Sequence, residues 1–143
     1  MGEFPDVADV LAEFDRLVEV GVGRRTDVAA ALAARGCEVT ATDVVEREVP
    51  DAVTFVRDDV TDPDLAVYEG ADAVYALRCP PELQRPLADA AAAVGAACLF
   101  TTLGGDPATV PVERRTVASG TVFVVRERAQ RRVRSWRPDE WDA

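Results

Sequence analysis

The sequence predicts a three-layer α/β fold, with a mostly parallel sheet, helices on both faces and a C-terminal antiparallel strand or hairpin. Three observations predict it. Helical and strand-like segments alternate through most of the chain, the pattern of parallel strand–helix–strand units. The stretch VEVGVGRRTDVAAALAARG, residues 18–36, reads as a buried strand, a glycine turn and a helix. The 143 residues, 48% of them apolar, suffice for one sizeable core and contain no linker or internal repeat. The expectation is one domain over residues 1–143, with an N-terminal helix within 1–17 and a frayed tail at 138–143.

The elements follow in chain order. Val7, Val10, Leu11, Phe14 and Leu17 share one helical face, with Asp6 as N-cap. LVEVGV is the first strand. TDVAAALAARG is a helix that starts at Thr26 or Asp27 and stops at Gly36. CEVTATDV and AVTFVRD are the second and third strands, and DPDLAVYEG is a short helix or turn. ADAVYAL is the fourth strand and PELQRPLADAAAAVG the next helix, where Pro86 predicts a kink or a restart. AACLFTTL is the fifth strand, and GGDPATVPVERR is the least regular stretch. GTVFVVRER is the sixth strand, with RRVRSW as its antiparallel partner.

The candidate site lies at the carboxyl edge of the sheet. Gly21 and Gly23 end the first strand, where open α/β sheets bind ligands and glycine lets the backbone come close. The following helix offers free N–H groups at its start. Asp43 ends the second strand 20 residues after Gly23, the place of an acid that accepts hydrogen bonds from ribose hydroxyls. Asp59 follows the third strand at the same edge, within the region of an adenine amino group, and Glu19 precedes the first glycine by two residues. Asp43→Ala is expected to weaken ligand binding and leave folding nearly unchanged. The bland reading is that the glycines serve packing while the carboxylates cap helices and solvate the surface. NAD fits less well than S-adenosylmethionine, because G-x-G-x-x-G would need glycine at Thr26. Arg24 and Arg25 either face an anion or pair with carboxylates such as Asp27.

Glu19, Gly21, Gly23, Asp43 and Asp59 together resemble the cofactor path of class I S-adenosylmethionine-dependent methyltransferases, over residues 17–103. The resemblance implies a Rossmann-like fold of that type. It would put Glu19 near the methionine amino group, Gly21 and Gly23 in the turn, Asp43 on the ribose and Asp59 near the adenine. A narrower resemblance, carried by VEVGVGRRTDVA, VTATDV and LRCPPELQRPL, is to the archaeal uncharacterised protein family 0146. That family implies the fold and no activity. The chain departs from a methyltransferase at Arg25, which stands at the third glycine position, and in its short length. It departs also at Cys79, Pro80, Pro81 and Glu82, where amine methyltransferases carry an Asn or Asp, two prolines and an aromatic ring.

RCPPEL supplies a second candidate. Two prolines stiffen the backbone after Arg78, whose planar guanidinium suits a bidentate contact to a carboxylate or phosphate of substrate. Glu82 is its partner in the empty state or an acid of the helix's first turn. The competing reading is a helix start at Pro80 and Pro81 and nothing more.

Composition narrows the function classes. There are 26 acidic and 16 basic residues, net charge −10, and every basic residue is arginine. This is the balance of an extreme halophile with a GC-rich genome. At molar salt the Debye length is about 3 Å, so crowded carboxylates scarcely repel. Such acidity argues against general binding to nucleic-acid phosphates. The C-terminal arginines Arg126, Arg128, Arg131, Arg132, Arg134 and Arg137 form a local basic cluster that either touches RNA or simply faces solvent. No histidine is present, which excludes a His-based triad, and Cys37, Cys79 and Cys98 have no metal-ligand spacing. No signal peptide or membrane span is read, so the expected location is the cytoplasm. The leading function is binding of S-adenosylmethionine or a related adenosine ligand, with methyl transfer left open. The rivals are a non-catalytic module that acts through a protein partner or oligomer, and a small nucleotide-binding regulator.

Overall fold

A computed structural model describes residues 4–126. In chain order its elements are α1 (Val7–Leu11), β1 (Arg16–Val20), α2 (Asp27–Ala34), β2 (Glu38–Asp43) and β3 (Thr54–Arg57). A 3₁₀ turn (Leu65–Val67) precedes β4 (Ala73–Ala76), α3 (Pro81–Ala93), β5 (Ala97–Phe100), β6 (Val112–Val117) and β7 (Gly120–Val125). One seven-stranded sheet runs in the order β3-β2-β1-β4-β5-β7-β6. The first five positions are parallel; β7 is antiparallel to β5, and β6 to β7. From β1 the chain moves outward to β2 and β3, then returns to the other side of β1 as β4. That reversal creates the crevice at which open sheets bind ligands.

Each face of the sheet carries its own core. Leu17 of β1 packs with Leu11 of α1, Leu32 of α2 and Leu99 of β5. The neighbouring Val18 points the other way, toward Tyr68, Leu87 of α3 and Phe100. This period-2 alternation on a doubly covered sheet is why the strands read as nearly continuous apolar runs. Phe100 and Phe123 stack across β5 and β7 with ring centroids 5.3 Å apart, fastening the antiparallel pair to the parallel sheet.

Three expectations are corrected. The N-terminal helix ends at Leu11 with Ala12 as C-cap, and Leu17 belongs to β1. Its i+3 spacing from Phe14 belongs by coincidence to a strand, which gains ladder bonds with Glu38 to Val20's partner Thr42. The C-terminal hairpin is built from β6 and β7, so the partner of GTVFVV comes from the stretch read as least regular. β6 is an edge strand whose Glu113, Arg114 and Arg115 are exposed, and charge on an edge erases the apolar alternation that marks a strand. RRVRSW and residues 138–143 lie outside the described residues. Finally, of the kink or restart expected at Pro86 the restart does not occur, and α3 runs through as one helix; burial of Leu87, Ala88, Ala90 and Ala91 against the sheet offsets the lost hydrogen bond.

Candidate functional site

Chain geometry at the end of β1 demands glycine. Gly21 and Gly23 have φ of +71° and +59°, a region that costs an L-residue about 1–2 kcal/mol. A Cβ at Gly21 would meet no atom within 4 Å, so the demand there is conformational and the space beside the turn is open. Position 25 carries no such demand: among described non-glycine residues only Arg78 has a positive φ. Arg25 is exposed, and neither it nor Arg24 pairs with Asp27 or any other described carboxylate.

The end of β2 stitches the turn down. The carbonyl of Thr42 accepts the N–H groups of Gly21 and Val22, each at 2.9 Å. Gly23 N–H donates to Asp43 Oδ2 at 2.8 Å, joining the glycine turn to the acid 20 residues later. Asp43 is buried, and Arg47 Nε reaches the same Oδ2 at 3.2 Å. Among the described residues, Oδ1 receives only a 3.4 Å contact from Val45 N–H. At the end of β3, Asp59 is exposed; its Oδ1 accepts Thr61 N–H at 2.9 Å and Thr61 Oγ1–H at 2.7 Å. Those bonds hold its carboxyl below the usual carboxylate range. Its neighbour Asp58 is turned inward to accept Tyr68 O–H at 2.8 Å.

Glu19 lies beneath this surface. It is 1% exposed, faces Tyr75 in the β1–β4 register, and accepts Tyr75 O–H on Oε1 at 2.7 Å. Burial pushes its carboxyl up to about 7; the Tyr75 hydrogen bond and the Arg78 charge oppose that rise, and Asp27 adds to it.

The RCPPEL segment leaves β4 in a strained conformation. Arg78 adopts φ +52°, which costs a non-glycine residue about 1–3 kcal/mol. Thr101, at the end of β5, holds it there: its Oγ1 accepts Arg78 N–H and its carbonyl accepts Cys79 N–H, both at 2.8 Å. Pro80 is the N-cap and Pro81 the first residue of α3, so the prolines do start a helix. Glu82 is exposed in the first turn and makes no ion pair with Arg78 among the described residues. Burial, with the nearby Glu82 charge, pushes the Cys79 thiol up to about 12, so it is no thiolate nucleophile at neutral pH. The described residues contain no group of His, Cys, Asp and Glu able to hold a metal ion, and no helix long and apolar enough to cross a membrane.

Gly21, Gly23, Asp43 and Asp59 thus come together along one edge, with Glu19 below it and Arg78 beside it. Three partners were not legible in the sequence: Tyr75, Arg47 and Thr101. Tyr75 follows from strand register alone. Arg47 is four residues after Asp43, but that spacing signals a contact only on a helix, and this segment is a loop.

The profile of Uncharacterised protein family UPF0146 matches residues 1–128. The chain belongs to this family. A UPF0146 protein of Halobacterium salinarum is 69% identical over 128 residues, covering 89% of this chain and 99% of its own. One from Archaeoglobus fulgidus is 53% identical over 102 residues, covering 70% and 78%. Among solved structures, the fold is similar to that of an RNA methyltransferase from Salinibacter ruber in complex with S-adenosyl-L-homocysteine (TM-score 0.60, 17% identity, 83% of this chain and 88% of that one). It is also similar to magnesium protoporphyrin IX methyltransferase from Synechocystis with bound S-adenosylmethionine (TM-score 0.55, 16% identity, 84% and 74%). At these identities the likeness shows the UPF0146 fold to be Rossmann-like and methyltransferase-type.

Proposed function

We propose that this chain binds S-adenosylmethionine or a related adenosine ligand along the carboxyl ends of β1, β2 and β3. The observation that carries this reading is the Asp43 carboxylate, fixed to the glycine turn by Gly23 N–H at 2.8 Å with Oδ1 left nearly unengaged. Oδ1 is the atom offered to a ribose hydroxyl. Gly21 and Gly23 give the backbone its close approach, and Asp59 offers Oδ2, unbonded among the described residues, to an adenine amino group. Glu19, buried below the turn with its carboxyl pushed up to about 7, acts on the ligand's ammonium only through its ionised fraction, which grows as pH rises. That neighbours of the same fold carry S-adenosylmethionine or S-adenosylhomocysteine supports the choice of ligand. Methyl transfer is a separate step, for which the RCPPEL segment supplies neither an amide acceptor nor a stacking ring.

One observation favours a second reading. Asp43 Oδ2 is already shared by Gly23 and Arg47, as in a turn kept for scaffolding in a module that works through a partner or oligomer. Calorimetric titration in molar KCl with S-adenosylmethionine, S-adenosylhomocysteine, NAD and ATP separates the two. The expected result is saturable binding of the sulfur nucleosides. Asp43→Asn, which retains an oxygen for Gly23 N–H, is expected to weaken it by about 1.5–3 kcal/mol. Absence of binding by all four ligands would establish the scaffold reading.

A further inference from the structure

Beside the nucleoside edge, and sharing with it neither Gly21, Gly23, Asp43 nor Asp59, lies a cleft of about 690 Å³ over the ends of β4 and β5 and the start of β7. Its volume is that of a small-molecule site. We infer that this cleft is a second ligand site, for a small zwitterionic metabolite of the amino-acid type, with Arg78 taking the carboxylate and Asp27 and Asp106 the ammonium.

The argument rests on charge, conformation and shape. Arg78 is the cation of the cleft wall, and its guanidinium makes no hydrogen bond or ion pair among the described residues. Arg24 and Arg25 also lack an ion pair, so what distinguishes Arg78 is its place as the one cation among the described residues that line the cleft. Its backbone is strained to φ +52° and pinned on both sides by Thr101, which is what aiming a side chain requires. Asp27 and Asp106 also line the cleft. Two carboxylates against one guanidinium disfavour a polyphosphate or a simple anion, and they complement a ligand that carries both signs. Asp27 at the start of α2 and Arg78 just after β4 both line the cleft, so the two charges enter it from separate elements at the sheet edge. The remaining wall combines the Thr102 and Ser119 hydroxyls with the apolar side chains of Val28, Leu77 and Phe123, which suits a short ligand that carries an apolar side chain beside its two charges.

The test uses L-norvaline as the zwitterion, with butyrate, butylamine and inorganic phosphate as single-charge probes, followed by saturation-transfer NMR on the full chain in molar KCl. Norvaline is expected to bind saturably, about tenfold or more tighter than any single-charge probe, as two charge-assisted contacts should exceed one. Arg78→Lys and Asp27→Asn, each checked for folding by its melting curve, are expected to weaken norvaline about tenfold or more. Norvaline and S-adenosylhomocysteine are expected to bind the parent protein together. Norvaline binding without S-adenosylhomocysteine binding would support this site while removing the cofactor reading. Equal binding of butyrate and norvaline, indifference of norvaline to both substitutions, or displacement of norvaline by S-adenosylhomocysteine would each overturn the inference.

Discussion

Glu19 stands opposite Tyr75 on adjacent strands, and the burial of its carboxylate carries a cost that pH can read. Its carboxyl titrates near 7 in the fold, against 4.5 for a free glutamate. Below the lower value both states hold the proton and the penalty is absent. As pH rises from 4.5 toward 7 the unfolded chain releases its proton first, so stability falls across that window and levels off above it. The magnitude is about 3 kcal/mol. Glu19→Gln keeps an oxygen for Tyr75 O–H and abolishes the titration. Urea unfolding at constant molar KCl should find it about 1–3 kcal/mol more stable than the parent at pH 8 and nearly equal at pH 4.5. Parallel stability curves for the two proteins would show that Glu19 is not the group responsible. Asp43 needs a similar revision. The sequence-based expectation that Asp43→Ala spares folding overlooks Gly23 N–H and Arg47, which lose their acceptor at a cost of about 1–3 kcal/mol.

At the scale of elements, the segment between β5 and β6 depends on one buried amide. Gln84 of α3 is fully buried; its Nε2 donates to the Pro107 carbonyl at 3.0 Å. Its Oε1 accepts Thr109 N–H at 2.6 Å and Thr109 Oγ1–H at 3.0 Å. Gln84 is buried while Pro107 and Thr109 are exposed, so the network ties the loop that walls the second cleft down onto α3. Gln84→Leu preserves bulk and releases the loop's polar groups to water, at a cost of about 1–2 kcal/mol. Hydrogen exchange should accelerate first in residues 101–111, with β1 and β4 amides still protected. Uniform acceleration across the sheet would mean that the amide supports the whole core instead of the loop.

Charge acts on the whole molecule. Apart from Arg47 with the buried Asp43, the described ion pairs, such as Arg35 with Asp9 at 2.8 Å and Arg16 with Glu38 at 3.4 Å, join exposed side chains and contribute about 0–1 kcal/mol each. They cannot offset the mutual repulsion of a surface with net charge −10. The composition and the close relative from Halobacterium salinarum agree on a salt-adapted protein. Dialysis to low salt should lower the melting temperature and molar KCl should restore it. A melting temperature that stays flat from low to molar salt would remove the salt-adapted reading without touching the fold.

The sequence by itself determined the alternation of strands and helices, the glycine turn, the edge on which Gly21, Gly23, Asp43 and Asp59 gather, and the acidic, lysine-free composition. These properties are local: apolar periods, glycine at a strand end and charge composition need no knowledge of what lies across the sheet. The family resemblance sharpened the fold and left the chemistry open. Tertiary structure alone decided which atoms meet. Tyr75 finds Glu19 across 56 residues because β4 inserts beside β1 in one register, and a slip of one residue would turn either side chain to the opposite face. β7 takes β6 as its partner because an edge strand can carry a charged centre, here Glu113, Arg114 and Arg115, and still complete its ladder, so no apolar alternation announces it. Arg78 lines a cleft with Asp27 and Asp106 because the start of α2 and the segments after β4 and β5 converge at one edge of the sheet, and convergence of that kind has no signature along the chain.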